Sequence, residues 1–181
     1  MFTQEEIKIA NATYRSKGSS VFDKNGNIRS VVARFVTNYV PKDLKILDFG
    51  CGSEFIQGKY LRNLGFDVSG WDFGENKPAE CVDKLEQVYD VVYASNVLNV
   101  ISSKSMLAET LNQISGCLKD GGMFIANYPQ SPRKMKITNK ELSDIIREQT
   151  GMDAYKIEGV SCPMWIFFKS NANIDRINVS A

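Results

Sequence analysis

The stretch Leu44-Lys45-Ile46-Leu47-Asp48-Phe49-Gly50-Cys51-Gly52-Ser53-Glu54 decides how this chain is read. A short apolar run ends in two glycines one residue apart, the pattern of a buried strand feeding a tight turn. Glycine lets the backbone turn sharply and removes the Cβ that would hold a ligand away. Taken alone, Gly50-Cys51-Gly52 fits a simple turn as well as it fits the floor of a nucleotide site. Outward from it, a helix is predicted from about Phe55 to Asn63, with Gly65 as its stop signal, and Phe66 to Trp71 reads as a second strand. Asp72 ends that strand, 20 residues after Gly52. A carboxylate there accepts two hydrogen bonds at once, which suits the paired hydroxyls of a ribose. Alone, Asp72 could equally be a solvated turn residue. Glycine turn, helix and acidic residue together point to an adenosine-type ligand.

The remaining chain extends the same alternation. Thr3 with Glu6 reads as a capping box opening a helix to about Lys17. Ile28, Val31, Val32, Phe35, Val36 and Tyr39 recur at helical spacing before Pro41. Residues 76–87 are weakly patterned and leave room for one very short strand. Tyr89 to Ala94 is a strand, Lys104 to Leu118 a helix closed by Lys119-Asp120-Gly121-Gly122, and Met123 to Asn127 a strand. Thr138 and Glu141 cap a helix running to Gln149, and Ala154 to Glu158 with Trp165 to Lys169 suit an antiparallel pair. The expected fold is α/β: a doubly wound, mostly parallel sheet of seven strands, or six, with helices on both faces and an antiparallel C-terminal strand pair. One domain over 1–181 is expected, with an N-terminal helical region at 1–40, the core at 44–169 and a tail at 170–181.

Composition narrows the function classes. Hydrophobic residues make up 43% and charged residues 24% of 181 residues, the balance of an ordinary globular protein. Twenty-two basic against 21 acidic side chains give a net charge of +1, which argues against a blanket electrostatic nucleic-acid binder. Cys51, Cys81, Cys117 and Cys162 contain no Cys-x-x-Cys pair, so neither a zinc ribbon nor a disulfide scaffold is expected. The charged start Met1–Lys8 lacks a signal-peptide run, and no stretch approaches the ~20 apolar residues of a membrane span. A cytoplasmic location with reduced thiols is the expectation. The chain has no histidine, which removes the commonest general base and metal ligand, and no metal site is expected.

The dinucleotide fingerprint Gly-x-Gly-x-x-Gly needs glycine at position 55, where this chain has Phe55. Glu54, at the opening of the helix, would repel a pyrophosphate. No Gly-Lys-Ser/Thr follows, so a P-loop is excluded. On these residues a nicotinamide oxidoreductase fits poorly.

Four segments in order resemble the class I S-adenosylmethionine-dependent methyltransferases. Ile46-Leu47-Asp48-Phe49-Gly50-Cys51-Gly52 resembles their first motif, Asp/Glu-x-Gly-x-Gly-x-Gly, with Glu54 in place of its third glycine. Gly65-Phe66-Asp67-Val68-Ser69-Gly70-Trp71-Asp72 resembles the second, and Tyr89-Asp90-Val91-Val92-Tyr93-Ala94-Ser95-Asn96 the fourth-strand motif. Leu118-Lys119-Asp120-Gly121-Gly122-Met123-Phe124 resembles the turn into the fifth strand. More narrowly, Ser95 to Ile101 and the upstream Tyr14 to Ser20 are similar to a phage and bacterial methyltransferase group.

The resemblance implies S-adenosylmethionine as cofactor and a set of roles. Asp48, Gly50, Cys51 and Gly52 would line its methionine end, Asp72 its ribose and Phe73 one adenine face. Asp83 is the candidate for the acidic residue that contacts adenine, and equally a loop charge. Ser95 and Asn96 would stand near the methyl group. Asn96, Asn99 and Tyr128 are candidates for catalysis, although Asn96 and Asn99 are equally suited to capping and turns. Methyl transfer from a sulfonium asks mainly for in-line positioning, so a chain without histidine suits an acceptor that is already nucleophilic. The acceptor, a small molecule or a nucleic acid, would meet the arm of Tyr14, Arg15 and Lys17 and the loop Asn127–Lys134; Arg133, Lys134 and Lys136 form a basic cluster suited to phosphate and also readable as a solvated charge run. A monomer or homodimer is expected. The alternative is a non-catalytic protein that binds S-adenosylmethionine or another nucleoside.

Overall fold

In a computed structural model, residues 2–13, 21–73, 78–130 and 134–169 are described. The elements run α1 Gln4–Thr13, α2 Val31–Tyr39, β1 Lys45–Phe49, α3 Ile56–Asn63, β2 Asp67–Trp71, β3 Tyr89–Ala94, α4 Lys104–Cys117, β4 Leu118–Asn127, α5 Asn139–Thr150, β5 Asp153–Ile157 and β6 Met164–Phe168. The strands form one six-stranded sheet in the order β2-β1-β3-β4-β6-β5. The first four are parallel, and β6 and β5 join antiparallel.

Strand alternation sorts the core into two layers. Leu47, Val92, Phe124 and Phe167 face a cluster with Leu107 and Leu111 of α4 and Ile146 of α5. Ile46, Val91, Ile125 and Ile166 face the opposite cluster, with Val32, Phe35 and Val36 of α2 and Leu61 of α3. Both faces of the inner sheet are covered, which is why β1, β3 and β6 read as nearly continuous apolar runs.

Six strands form rather than seven. The 76–87 region supplies no strand among its described residues. Its Val82 N–H donates to the Gly70 carbonyl at 2.9 Å, a rung of pairing beside β2. A second difference lies at Leu118–Gly122, expected to close a helix with a turn. The segment belongs to β4: Leu118 already pairs with Tyr89, and Gly121 and Gly122 exchange backbone hydrogen bonds with Lys169 at 2.8 and 3.0 Å. Gly121 has φ 75, so the strand passes through an irregularity that only a left-handed residue allows.

The predicted caps form. Thr138 and Glu141 make a reciprocal capping box at α5, and Gly151 closes that helix at φ 69. Thr3 and Glu6 make the same exchange at α1. Ser30 caps α2, so that helix begins at Val31 and leaves Ile28 bridged to Phe22. The predicted extension of α1 to Lys17 lies outside the described residues.

Candidate functional site

The chain leaves β1 for β2 on one side and returns to β3 on the other, so the sheet order reverses at the C-terminal end of β1. Ligands of open α/β sheets bind at such a crevice. The glycine turn sits there, and its backbone is closed on β2. The Gly50 and Cys51 N–H groups donate to the Trp71 carbonyl at 2.7 and 3.1 Å, and the Gly52 N–H donates to Asp72 Oδ2 at 2.8 Å. Gly50 and Gly52 have φ 76 and 71, and a Cβ on Gly50 would lie 2.5 Å from Val97 Cγ2. A phosphate cradle presents unpaired N–H groups to an anion. Here three successive amides are spent on the protein, one of them on a carboxylate, so the turn is a floor and not an anion nest.

Phe55 completes the turn in an unexpected way. It adopts the left-handed conformation at φ 49, rare for a bulky residue, and its fully buried ring fills the space over Gly58 and Gly70. A Cβ on Gly58 would lie 1.8 Å from that ring. The Arg62 guanidinium covers the ring at 4.8 Å. Glu54 is exposed in the turn and precedes the helix, which begins at Ile56.

Asp48 is 2% exposed at the end of β1, with Gly70 and Tyr93 beside it in register. Burial raises its carboxyl to about 7, and the nearby Asp72 charge adds to that. The Tyr93 hydroxyl and the Gly58 amide face it and partly oppose the shift. Neither Asp48 Oδ2 nor the Tyr93 hydroxyl completes a hydrogen bond of good geometry. A buried carboxyl with a partnerless oxygen suits a cationic group arriving from outside.

Beyond β3, Ser95 Oγ lies 2.9 Å from Ser30 Oγ at the start of α2. Asn96 takes a left-handed φ of 61 and is held by Asn127. Its N–H donates to Asn127 Oδ1 at 2.7 Å, and Asn127 Nδ2 donates to Asn96 Oδ1 at 2.8 Å. Asn127→Ala should cost about 1–3 kcal/mol in urea unfolding, since it strips both bonds from a strained turn; an unchanged midpoint would mean that the turn holds without them. Asn99 is buried, and its Oδ1 lacks a partner. Tyr128 is buried, and its hydroxyl donates to the Met135 carbonyl at 3.0 Å, so it faces the core. Phe73 is flanked by the Phe2 ring at 5.0 Å and the Trp71 ring at 5.7 Å. Asp83 is exposed, one residue past the Val82 rung.

The structure thus gathers Asp48, Gly50, Cys51, Gly52 and Asp72 into one cluster, and Ser95 and Asn96 into another at the end of β3. Sequence reading missed Phe2 and the pair of hydrogen bonds that ties Asn127 to Asn96. Asn127 had a signal in principle: Ala94 pairs with Ala126, which sets Ser95 and Asn127 level one residue on. Tyr14, Arg15, Lys17 and Arg133 lie outside the described residues. Among the described residues no group of three acidic or sulfur side chains could hold a metal, and no helix is long and apolar enough to cross a membrane.

A model of the methyltransferase domain matches residues 23–157. The chain belongs to that methyltransferase family. No curated protein sequence matches it, but many solved structures share its fold. A TehB-like SAM-dependent methyltransferase from Corynebacterium glutamicum is 20% identical, with 81% of this chain and 91% of that one covered and a TM-score of 0.64. DesVI of Streptomyces venezuelae is 11% identical, with 87% and 100% covered and a TM-score of 0.60. The Burkholderia thailandensis 1,6-didemethyltoxoflavin-N1-methyltransferase, solved with 1,6-didemethyltoxoflavin and S-adenosylhomocysteine bound, is 18% identical, with 71% and 72% covered and a TM-score of 0.54. These comparisons lend no support to the narrower phage grouping.

Proposed function

We propose that this methyltransferase binds S-adenosylmethionine over the glycine turn and passes its methyl group to an acceptor that is already nucleophilic. The observation that carries this reading is the closure of the Gly50, Cys51 and Gly52 amides on Trp71 and Asp72. It joins the glycine turn to the acidic residue after β2 and takes those three amides away from a phosphate. A nucleoside without phosphate fits such a floor, and a dinucleotide does not. Methyltransferases of the same fold, among them the one with bound S-adenosylhomocysteine, support the choice of ligand.

When bound, this cofactor supplies a methyl group on a sulfonium whose thioether leaves without protonation. The chain's own residues bind and orient. Asp72 would hold the ribose hydroxyls, since a carboxylate oxygen that accepts the Gly52 amide can accept again. Asp48, buried with a partnerless oxygen, would meet the amino group of the methionine end. Phe73 would cover one adenine face and Asp83 stand beside it, while Ser95 and Asn96 would line the methyl side. With no histidine in the chain, an amine, ring nitrogen, thiolate or carboxylate is the acceptor class that needs no base from the protein.

Calorimetry with S-adenosylmethionine, S-adenosylhomocysteine and NAD tests the cofactor, and labelled methyl transfer to metabolite pools, RNA, DNA and protein tests the acceptor. Tight NAD binding with no response to the other two would overturn the reading. Binding without transfer to any pool would favour a non-catalytic binder. Asp72→Ala should weaken S-adenosylhomocysteine by about 1.5–3 kcal/mol, roughly 10- to 150-fold; unchanged affinity would remove Asp72 from the site.

A further inference from the structure

Two thiols meet beneath the cofactor floor. Cys51, between the two turn glycines, has its sulfur 3.4 Å from that of Cys81, 30 residues away in sequence. Both are free thiols. Cys81 is held by its own N–H on the Pro78 carbonyl at 3.0 Å and by the neighbouring Val82 rung on Gly70. Bare Gly70 makes the approach possible, because a Cβ there would lie 2.8 Å from the Cys81 sulfur. The other two cysteines are engaged elsewhere: Cys117 donates to the Ile114 carbonyl, and Cys162 accepts from Asn127.

We infer that Cys51 and Cys81 form a reversible disulfide that weakens cofactor binding, an inference that rests on the reading of the glycine turn as the cofactor floor. A disulfide needs its sulfurs at about 2 Å, so oxidation draws the Cys51 side chain more than an ångström toward the sheet edge. Gly50 cannot follow freely, because Val97 packs against it. The displacement falls on Cys51 and Gly52, and with them on the Gly52 amide that Asp72 accepts. A floor shifted by that much no longer presents Asp72 and the turn in one geometry.

The oxidant is a small disulfide such as oxidised glutathione. One cysteine, as thiolate, attacks a glutathione sulfur and releases one glutathione thiolate. The second cysteine, as thiolate, attacks the resulting mixed disulfide at the protein sulfur and expels the other. One protein S–S bond forms and one glutathione S–S bond breaks. Two electrons pass to glutathione, and the two cysteine protons end on the two glutathione molecules. Burial raises both protein thiols above their ordinary range, which lowers their thiolate fraction and slows the exchange.

The test equilibrates the full chain in reduced-to-oxidised glutathione mixtures, traps free thiols by alkylation, maps the cross-link by mass spectrometry and measures S-adenosylhomocysteine affinity by calorimetry. The expected result is a Cys51–Cys81 cross-link, affinity weakened by about tenfold or more, and recovery on adding dithiothreitol. Cys81→Ser should bind as the reduced protein does and ignore the oxidant. Absence of the cross-link at the most oxidising mixture, or a cross-linked protein binding within about twofold of the reduced one, would overturn the inference alone. Reduced protein that binds no S-adenosylhomocysteine would overturn the cofactor reading itself, and the inference with it.

Discussion

Gly58→Ala should destabilise the protein by about 2–4 kcal/mol, although alanine is the better helix former by about 1 kcal/mol. The reason is Phe55. A Cβ at position 58 would lie 1.8 Å from Phe55 Cε2 and 2.1 Å from Cζ. The ring has nowhere to withdraw: it is wholly buried, Gly70 lies on its other side, and Arg62 stacks over it at 4.8 Å. Its backbone is already held at φ 49, so escape means unwinding the turn that leads from Gly52 into α3. The loss should therefore appear twice, as a lower urea midpoint and as weaker S-adenosylhomocysteine binding. Pairing the change with Phe55→Leu should recover part of the stability, because the smaller side chain frees the space. A single variant losing less than about 0.5 kcal/mol would show that the ring relaxes easily and is no constraint on the turn.

That packing also marks where sequence reading stops. The strands from Leu44 to Ala94 were located within a residue: β1 and β3 are buried on both faces and leave nearly continuous apolar runs, while β2 is bracketed by Gly65 and Asp72. Caps were equally legible, since Thr138 and Glu141 carry their partners three residues away. Glu54 and Phe55, read as defects in a glycine motif, are legible only in three dimensions. Phe55 takes up volume that two glycines, 3 and 15 residues further on, leave bare. The loop of Leu118–Gly122 failed for a related reason: its pairing partner is Lys169, some 50 residues downstream. The Cys51–Cys81 contact is likewise long-range. Local chemistry is written in local sequence, while contacts set by the reversal of strand order are not.

Asp48→Asn should move stability and binding in opposite directions. The Asp48 carboxyl is raised to about 7 in the folded protein, first by burial, then by Asp72, against about 3.9 in an unfolded chain. The folded state therefore keeps a proton that the unfolded state loses between about pH 4 and pH 7. Stability falls as pH rises through that window, and the full penalty of the ionised form is present above about pH 7. Three pKa units set an upper bound of about 4 kcal/mol. Asparagine carries no charge to desolvate, and its NH2 can donate to the Tyr93 hydroxyl, which has no partner in the wild type. At pH 8 the variant should be more stable by about 2–4 kcal/mol, and at pH 4 the two proteins should nearly coincide. Cofactor affinity at pH 8 should fall, because the carboxylate proposed to meet the methionine amino group is gone. A site acid kept at a cost in stability gives this opposed pair of changes. If the variant loses stability at pH 8 while binding is untouched, Asp48 is instead a structural acid, held ionised by Gly58 and Tyr93 for the sake of the turn.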